Sequence, residues 1–231
     1  MTDNTERRFT TSQVEVRAGT DTAEKRTIGG YAAKFNKSSQ NLGGFVEFID
    51  TRAFNRAKGN GFPDVMARYN HDDNFLLGTT NARTLRLGVD EIGLTYEVDT
   101  PRSYPQVYEL VQRGDVYQSS FAFRVIGADG EEWGLSEQNF PQRTLLSVDL
   151  VDVAPVNTPA YKDTTTAIRS LAARMHAPED EVRAMSDRGD LSRFFVRSDR
   201  DSAGKPVFHK RTFGPAALMA LDRKAKDPYA K

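Results

Sequence analysis

The sequence predicts a mostly β domain with flanking helices, an α+β chain, from three observations. Apolar and polar residues alternate with period two in several stretches, among them Gln13 to Ala18, Thr84 to Val89 and Gly93 to Val98, as they do on strands with one buried face. Turn residues punctuate these stretches at hairpin spacing, as in Asp90-Glu91-Ile92-Gly93. Helical spacing is clearest in Ser103 to Arg113, where Tyr104, Val107, Tyr108 and Val111 share a face.

In chain order, residues 1 to 10 read as frayed. Gln13 to Ala18 and Thr27 to Phe35 form a hairpin around the polar turn Gly19 to Lys25. Asn36 to Gly44 is a loop, Phe45 to Ile49 a short strand, and Thr51 to Ala57 one or two helical turns with Phe54 inward, stopped by Gly59-Asn60-Gly61. A strand from Asp64 to Tyr69 delivers Asn70-His71-Asp72-Asp73 at its end, and Leu76-Leu77-Gly78 follows. Ser103 is the expected N-cap of the helix ending at Gly114, which feeds a strand in which Phe121, Phe123 and Val125 face a core while Ser120, Ala122 and Arg124 face the other way. Glu131 to Pro141 carries the only tryptophan, Trp133, on a hairpin or excursion. Arg143 to Val156 reads as one long strand whose apolar face, Leu146, Val148 and Leu150, continues by period-two counting to Asp152. That acid is either at an exposed strand end or partly buried with a partner. Thr164 to Arg174 reads as a helix.

At 231 residues the chain fits one sizeable domain plus an appendage. No apolar run approaches the roughly 20 residues of a membrane span, and the polar run Thr2 to Arg8 lacks the apolar core of a secretion signal, so no span and no export are expected. Zero cysteines excludes disulfides and thiol catalysis. Charge is uneven: residues 1 to 170 hold 19 Lys and Arg against 23 Asp and Glu, and residues 171 to 231 hold 13 against 9. The tail from Met175 shows apolar islands, Phe194-Phe195-Val196 and Ala216 to Leu221, in a charged background. It reads as a weakly structured arm that docks on a partner or stays disordered. The basic residues interleave with acids and form no nucleic-acid-binding motif.

The chain has three histidines, and His71 is the only one outside the tail. It is either a structural histidine or the natural base for chemistry near pH 7, given an unperturbed pKa of about 6.5. A metal-dependent phosphohydrolase reading of Asn70-His71-Asp72-Asp73 finds no second histidine in the body and no His-Glu-x-x-His spacing. The Gly-x-Ser-x-Gly elbow and the phosphate-binding Gly-x-x-x-x-Gly-Lys-Ser/Thr loop are absent. Three groups remain, each at a strand edge: Ser120, His71 and Asp152. Ser119 and Ser120 are either polar residues on a strand's solvent face or, if the three groups meet, the site of a nucleophile. His71 then takes the hydroxyl proton and Asp152 holds the imidazole tautomer.

From about Arg26 to Leu171 the chain resembles the prohead proteases of tailed bacteriophages, serine peptidases that mature viral capsids. The matching pieces are Gly30-Tyr31-Ala32-Ala33-Lys34-Phe35-Asn36, Leu42-Gly43-Gly44, Tyr69-Asn70-His71-Asp72 with Leu77-Gly78, and Gly93-Leu94-Thr95-Tyr96-Glu97. Gly114-Asp115-Val116 then leads into Ser119-Ser120-Phe121-Ala122-Phe123, and Asp152-Val153-Ala154-Pro155-Val156 into Pro159-Ala160-Tyr161. The resemblance places the histidine at His71, the nucleophile at Ser120 rather than Ser119, and the acid at Asp152, with Asp149 the alternative in another register. Ala122 stands where the family commonly has glycine.

The resemblance implies a β-barrel core like herpesvirus assemblin, within a protease domain at 26–174. Residues 1–25 form an N-terminal arm and first strand, and 175–231 a basic tail that targets the enzyme or is lost by self-cleavage. It implies a serine-type endopeptidase with a Ser/His/acid triad, requiring no cofactor and no metal. Its substrates are the scaffold, the major capsid protein's extension and itself, inside the assembling prohead in the host cytoplasm. A homodimer is allowed; no membrane and no specific nucleic acid are expected partners. Arg143 is a candidate contributor to the oxyanion site. The competing reading is a non-catalytic capsid scaffold or assembly module with the same fold.

Overall fold

The computed structural model describes residues 4–17, 26–157, 165–200 and 206–210. In chain order the strands are β1 (Glu6–Val16), β2 (Thr27–Lys34), β3 (Val46–Ile49), β4 (Met66–Arg68), β5 (Leu76–Thr79), β6 (Leu85–Val89), β7 (Gly93–Asp99), β8 (Gln118–Val125), β9 (Glu131–Leu135), β10 (Pro141–Leu145), β11 (Val148–Val156), β12 (Phe195–Arg200) and β13 (Pro206–Lys210). The helices are α1 (Asn55–Gly59), α2 (Pro105–Arg113), α3 (Thr165–Met175) and α4 (Glu179–Asp187). The predicted mostly β, α+β class is the observed one.

Two compact units divide the chain. The first comprises Met1–Ser38, Phe48–Glu132 and Thr144–Asp163. Its eight-stranded sheet runs β5-β4-β11-β8-β1-β2-β7-β6 and curls into a nearly closed barrel. The interior is mainly apolar: Ile28, Leu77, Leu94, Tyr96, Val98, Phe121, Phe123 and Val153 are all buried in one cluster, as the period-two alternation of their strands dictates. Phe54, turned inward just ahead of α1, meets Phe121 edge-on at 5.9 Å.

The seam of the barrel depends on a glycine. A Cβ on Gly78 of β5 would lie 2.7 Å from Val98 Cγ2 of β7 and 2.9 Å from Thr84 Oγ1, so only glycine lets β5 approach this closely. Gly78→Ala is expected to destabilise the protein by about 1–3 kcal/mol, the usual cost of overpacking. Gly59→Ala, with nothing within 4 Å, serves as the control, and the denaturant midpoints of the two variants check the difference.

The second unit comprises Ser39–Glu47, Trp133–Arg143 and Thr164–Lys231. Its core joins Phe45 and Trp133 to Ile168, Leu171 and Met175 of α3, Val182 and Met185 of α4, and Leu191, Phe194 and Phe195 beyond it. The apolar island at Phe194-Phe195 therefore finds a core after all, because α3, α4 and the Phe45 and Trp133 segments supply the other walls. Acids at Glu179, Asp180 and Glu181 open α4, at the positive end of its dipole. Ala216 to Leu221, the turn Gly19 to Lys25 and Pro159-Ala160-Tyr161 lie outside the described residues.

Four further expectations are corrected. Residues 6–10, read as frayed, belong to β1 and pair with β8 from Glu6↔Phe123 to Thr10↔Ser119; backbone pairing overrides their polar composition. Ser103 does not cap α2: Tyr104 holds that place with no side-chain cap bond, since Pro105 at the first helical position fixes the start there. The long strand from Arg143 is broken at Leu146 and Ser147, whose N–H groups both donate to the Gly130 carbonyl at 2.8 and 3.0 Å. Arg143 itself is fully buried in the second unit, paired through Nη1 with Glu47 Oε2 at 2.9 Å and lying over the Trp133 ring at 5.7 Å. That ion pair commits its guanidinium, and Arg143 is withdrawn as an oxyanion donor.

Candidate active site

Ser120, His71 and Asp152 come from three adjacent parts of the barrel wall. On β8 the side chains alternate, so Phe121 and Phe123 enter the core while Ser120 and Ala122 face outward. Ser119, on the inner face, is spent on a 3.0 Å hydrogen bond with the buried Tyr96 hydroxyl. Asp152 reaches the outer face through a bulge. In β11 the register against β8 shifts between Leu150, which pairs with Phe123, and Asp152, which pairs with Ala122. The extra residue turns Asp152 away from the apolar row that period-two counting assigned to it, and Val153 joins the core in its place. Asp149 is exposed on β11, and no hydrogen bond ties it to His71.

His71 arrives on the 3-10 turn Tyr69–His71, directly after β4. Asn70 and His71 both adopt the left-handed backbone region, with φ of 56° and 58°. Asparagine and histidine are among the non-glycine residues that enter that region most readily. The turn is tied down by Asn70, whose Oδ1 accepts a 3.1 Å hydrogen bond from the Asn157 N–H at the end of β11. Asn70→Ala removes both the tolerant residue and the tie and is expected to cost about 1–2 kcal/mol. Asn70→Gly, which keeps the backbone freedom, should recover part of that loss in a thermal melt without restoring the tie.

The three groups form one hydrogen-bonded line. His71 Nε2 stands 2.6 Å from Ser120 Oγ, and His71 Nδ1 stands 2.5 Å from Asp152 Oδ1. The second carboxylate oxygen, Oδ2, accepts a 2.8 Å bond from Arg68 Nη1, and Arg68 Nη2 also lies 3.1 Å from Asp73 Oδ1. All three line members are buried: Ser120 is 0% exposed, and the side chains of His71 and Asp152 are 4% and 2% exposed. Ser120 Oγ has a further neighbour, since it also donates to the Arg8 carbonyl of β1 at 2.9 Å.

Burial opposes the charge on Asp152, but the hydrogen bond and charge of His71, and then those of Arg68, outweigh it and hold the carboxyl below its ordinary value. A depressed carboxyl contributes stability that is present above its unfolded pKa of about 3.9 and lost as pH falls through the folded value. Thermal melts from pH 7 downward should show the wild type losing, below pH about 4, an advantage over Asp152→Asn that it holds at neutral pH.

This arrangement is suited to moving a proton. A carboxylate beside Nδ1 favours the tautomer with the proton there, leaving Nε2 as an acceptor for the Ser120 hydroxyl. Arg68, which holds the carboxylate from its far side, was not singled out in the sequence. Its signal is nonetheless present, because Arg68 lies three residues before His71 on the strand that delivers the histidine. The Arg8 carbonyl had no signal, being a backbone group of a segment read as frayed. Among the described residues no group of three His, Cys, Asp or Glu is placed to hold a metal ion, and no helix is long and apolar enough to cross a membrane.

A family model described as caudovirus prohead serine protease matches residues 12–178. No curated protein and no solved structure matches the chain. The matched stretch begins upstream of the resemblance read from Arg26 and ends a few residues past Leu171, taking in Ser120, His71, Asp152 and Arg68. Matched over more than half its length, the chain belongs to the caudovirus prohead serine proteases, hydrolases of bacteriophage capsid maturation that act on capsid-related proteins within the assembling capsid.

Proposed function

We propose that the chain is an endopeptidase in which Ser120 is the nucleophile, His71 the general base and then acid, and Asp152 the group that orients and supports the imidazole. The single observation behind this reading is the position of His71, within hydrogen-bonding distance of Ser120 Oγ on one nitrogen and of Asp152 on the other. As Oγ attacks the peptide carbonyl, its proton passes to Nε2, and the imidazolium so formed faces the Asp152 carboxylate. The proton then goes to the departing amine, leaving an acyl-enzyme on Ser120. Water next attacks that ester, giving its proton to Nε2 and restoring the serine. Arg68 positions the carboxylate without touching substrate.

The substrates in this reading are the scaffold, an extension of the major capsid protein, and the enzyme itself. Co-expression with the capsid and scaffold proteins of the same virus tests it. Wild type should yield shortened products that Ser120→Ala and His71→Ala do not. Identical products from wild type and Ser120→Ala would assign the cutting to a host enzyme.

A cut after Arg174 would strip Met175, Val182, Met185, Leu191, Phe194 and Phe195 from the core of the second unit, so within residues 175–231 the segment offered for targeting and self-cleavage is the part after Phe195. Its deletion should abolish incorporation into proheads and leave peptidase activity intact. Incorporation at the wild-type level would end that assignment.

A further inference from the structure

A nucleophile must be reached by its substrate, yet Ser120 is fully buried. Both backbone edges of β8 are occupied beside it, by Ala154 of β11 on one side and by Phe9 of β1 on the other. An extended peptide lying against a strand needs a free edge. The Ser120 hydroxyl also has one proton and two acceptors in reach, His71 Nε2 and the Arg8 carbonyl. While it donates to Arg8 it does not donate to the imidazole, so the β1 contact blocks access and competes with activation.

β1 is built in two unequal halves. The later half is anchored by Val14, which is buried in the core, and by pairing of Val14, Glu15 and Val16 with β2. The earlier half carries charge on the same inner side: Glu6 and Arg8 pair with Phe123 and Phe121, are themselves buried, and form a 2.7 Å ion pair with Arg8 over the Phe123 ring at 5.6 Å. A buried ion pair holds a strand less firmly than well-packed apolar side chains of similar volume. The register shift between Thr10 and Gln13 separates the halves, which gives the first half a joint about which to leave. Residues 6–10 also precede the stretch matched by the family model.

We infer that residues 6–10 are a detachable strap filling the groove in which a substrate peptide binds, extended and antiparallel to β8, in the place Arg8 and Phe9 now occupy. This rests on Ser120 being the nucleophile. With the strap seated the enzyme is closed; with it released, the edge of β8 accepts a peptide and the Ser120 proton is free to pass to His71.

The absence of native cysteines permits a clean test. Thr5 and Arg124 are next in register beyond Glu6↔Phe123 and touch through a 3.0 Å hydrogen bond. In Thr5→Cys/Arg124→Cys a disulfide would pin the strap. The probe is a fluorophosphonate, and the readout is the rate of adduct formation by intact mass. Oxidised protein should label about tenfold or more slowly than the same protein after reduction, because locking removes the competent fraction. A chain lacking residues 1–10 should label faster than the full chain. Equal rates for oxidised and reduced protein would overturn the strap while leaving Ser120 as nucleophile. No labelling in locked, reduced or truncated protein would overturn Ser120 as nucleophile, and the strap with it.

Discussion

Ser120→Ala and His71→Ala are each expected to lower peptide hydrolysis by about 10²–10⁴-fold, the range for loss of a positioned acid–base group, or roughly 3–5 kcal/mol of activation barrier. The two losses are not expected to add. If Ser120 and His71 act as one unit, as proposed, the double variant is about as slow as either single one. Hydrolysis of a capsid-derived peptide by purified variants measures this. The fold should be untouched by Ser120→Ala, because the serine hydroxyl is a small group on the outer face of β8 and Phe121 and Phe123 hold the strand from within.

Asp152→Ala should damage both activity and stability, and the two are separable. Arg68 is 16% exposed and loses its main partner. Removing one member of a buried ion pair costs about 3–5 kcal/mol, and the lower end applies because Arg68 keeps Asp73 and some contact with water. Arg68→Met combined with Asp152→Ala should recover much of that stability, since no charge is left stranded, and none of the activity. Asp152→Asn keeps a partner for Arg68 and so probes the chemistry with a smaller loss of stability. Arg68 donates to whichever oxygen faces it, so the amide oxygen turns toward Arg68 and the NH₂ toward His71. Nδ1 must then accept, Nε2 carries the proton, and the Ser120 hydroxyl loses its base, for a drop of about 10²-fold or more.

Much of this arrangement was legible from residues. Alternation in Phe121-Ala122-Phe123 placed Ser120 on the face opposite the core, and a strand ending at Tyr69 placed His71 at its tip. What escaped was set by departures from regular geometry. Period-two counting ran through Leu150 to Asp152 and missed the bulge, which is invisible in composition because either residue type is accommodated at such a site. Arg143 looked available because a lone guanidinium near the strand carrying the acid carries no mark of its partner; Glu47 lies 96 positions away in sequence. The N-terminal strand was misread because Glu6, Arg7 and Arg8 are poor strand-core residues by composition, and their pairing with β8 is a tertiary effect. The packing after Met175 was underestimated for a similar reason. Val182, Met185 and Phe194 are too sparse to make a core alone and become one only beside α3 and Trp133.

The most direct measurement is where a fluorophosphonate attaches. The wild-type chain, incubated to completion and mapped by peptide mass, should carry one adduct, on Ser120, and His71→Ala should form it far more slowly. An adduct on Ser119 or another residue, or equal labelling rates for wild type and His71→Ala, would contradict the account.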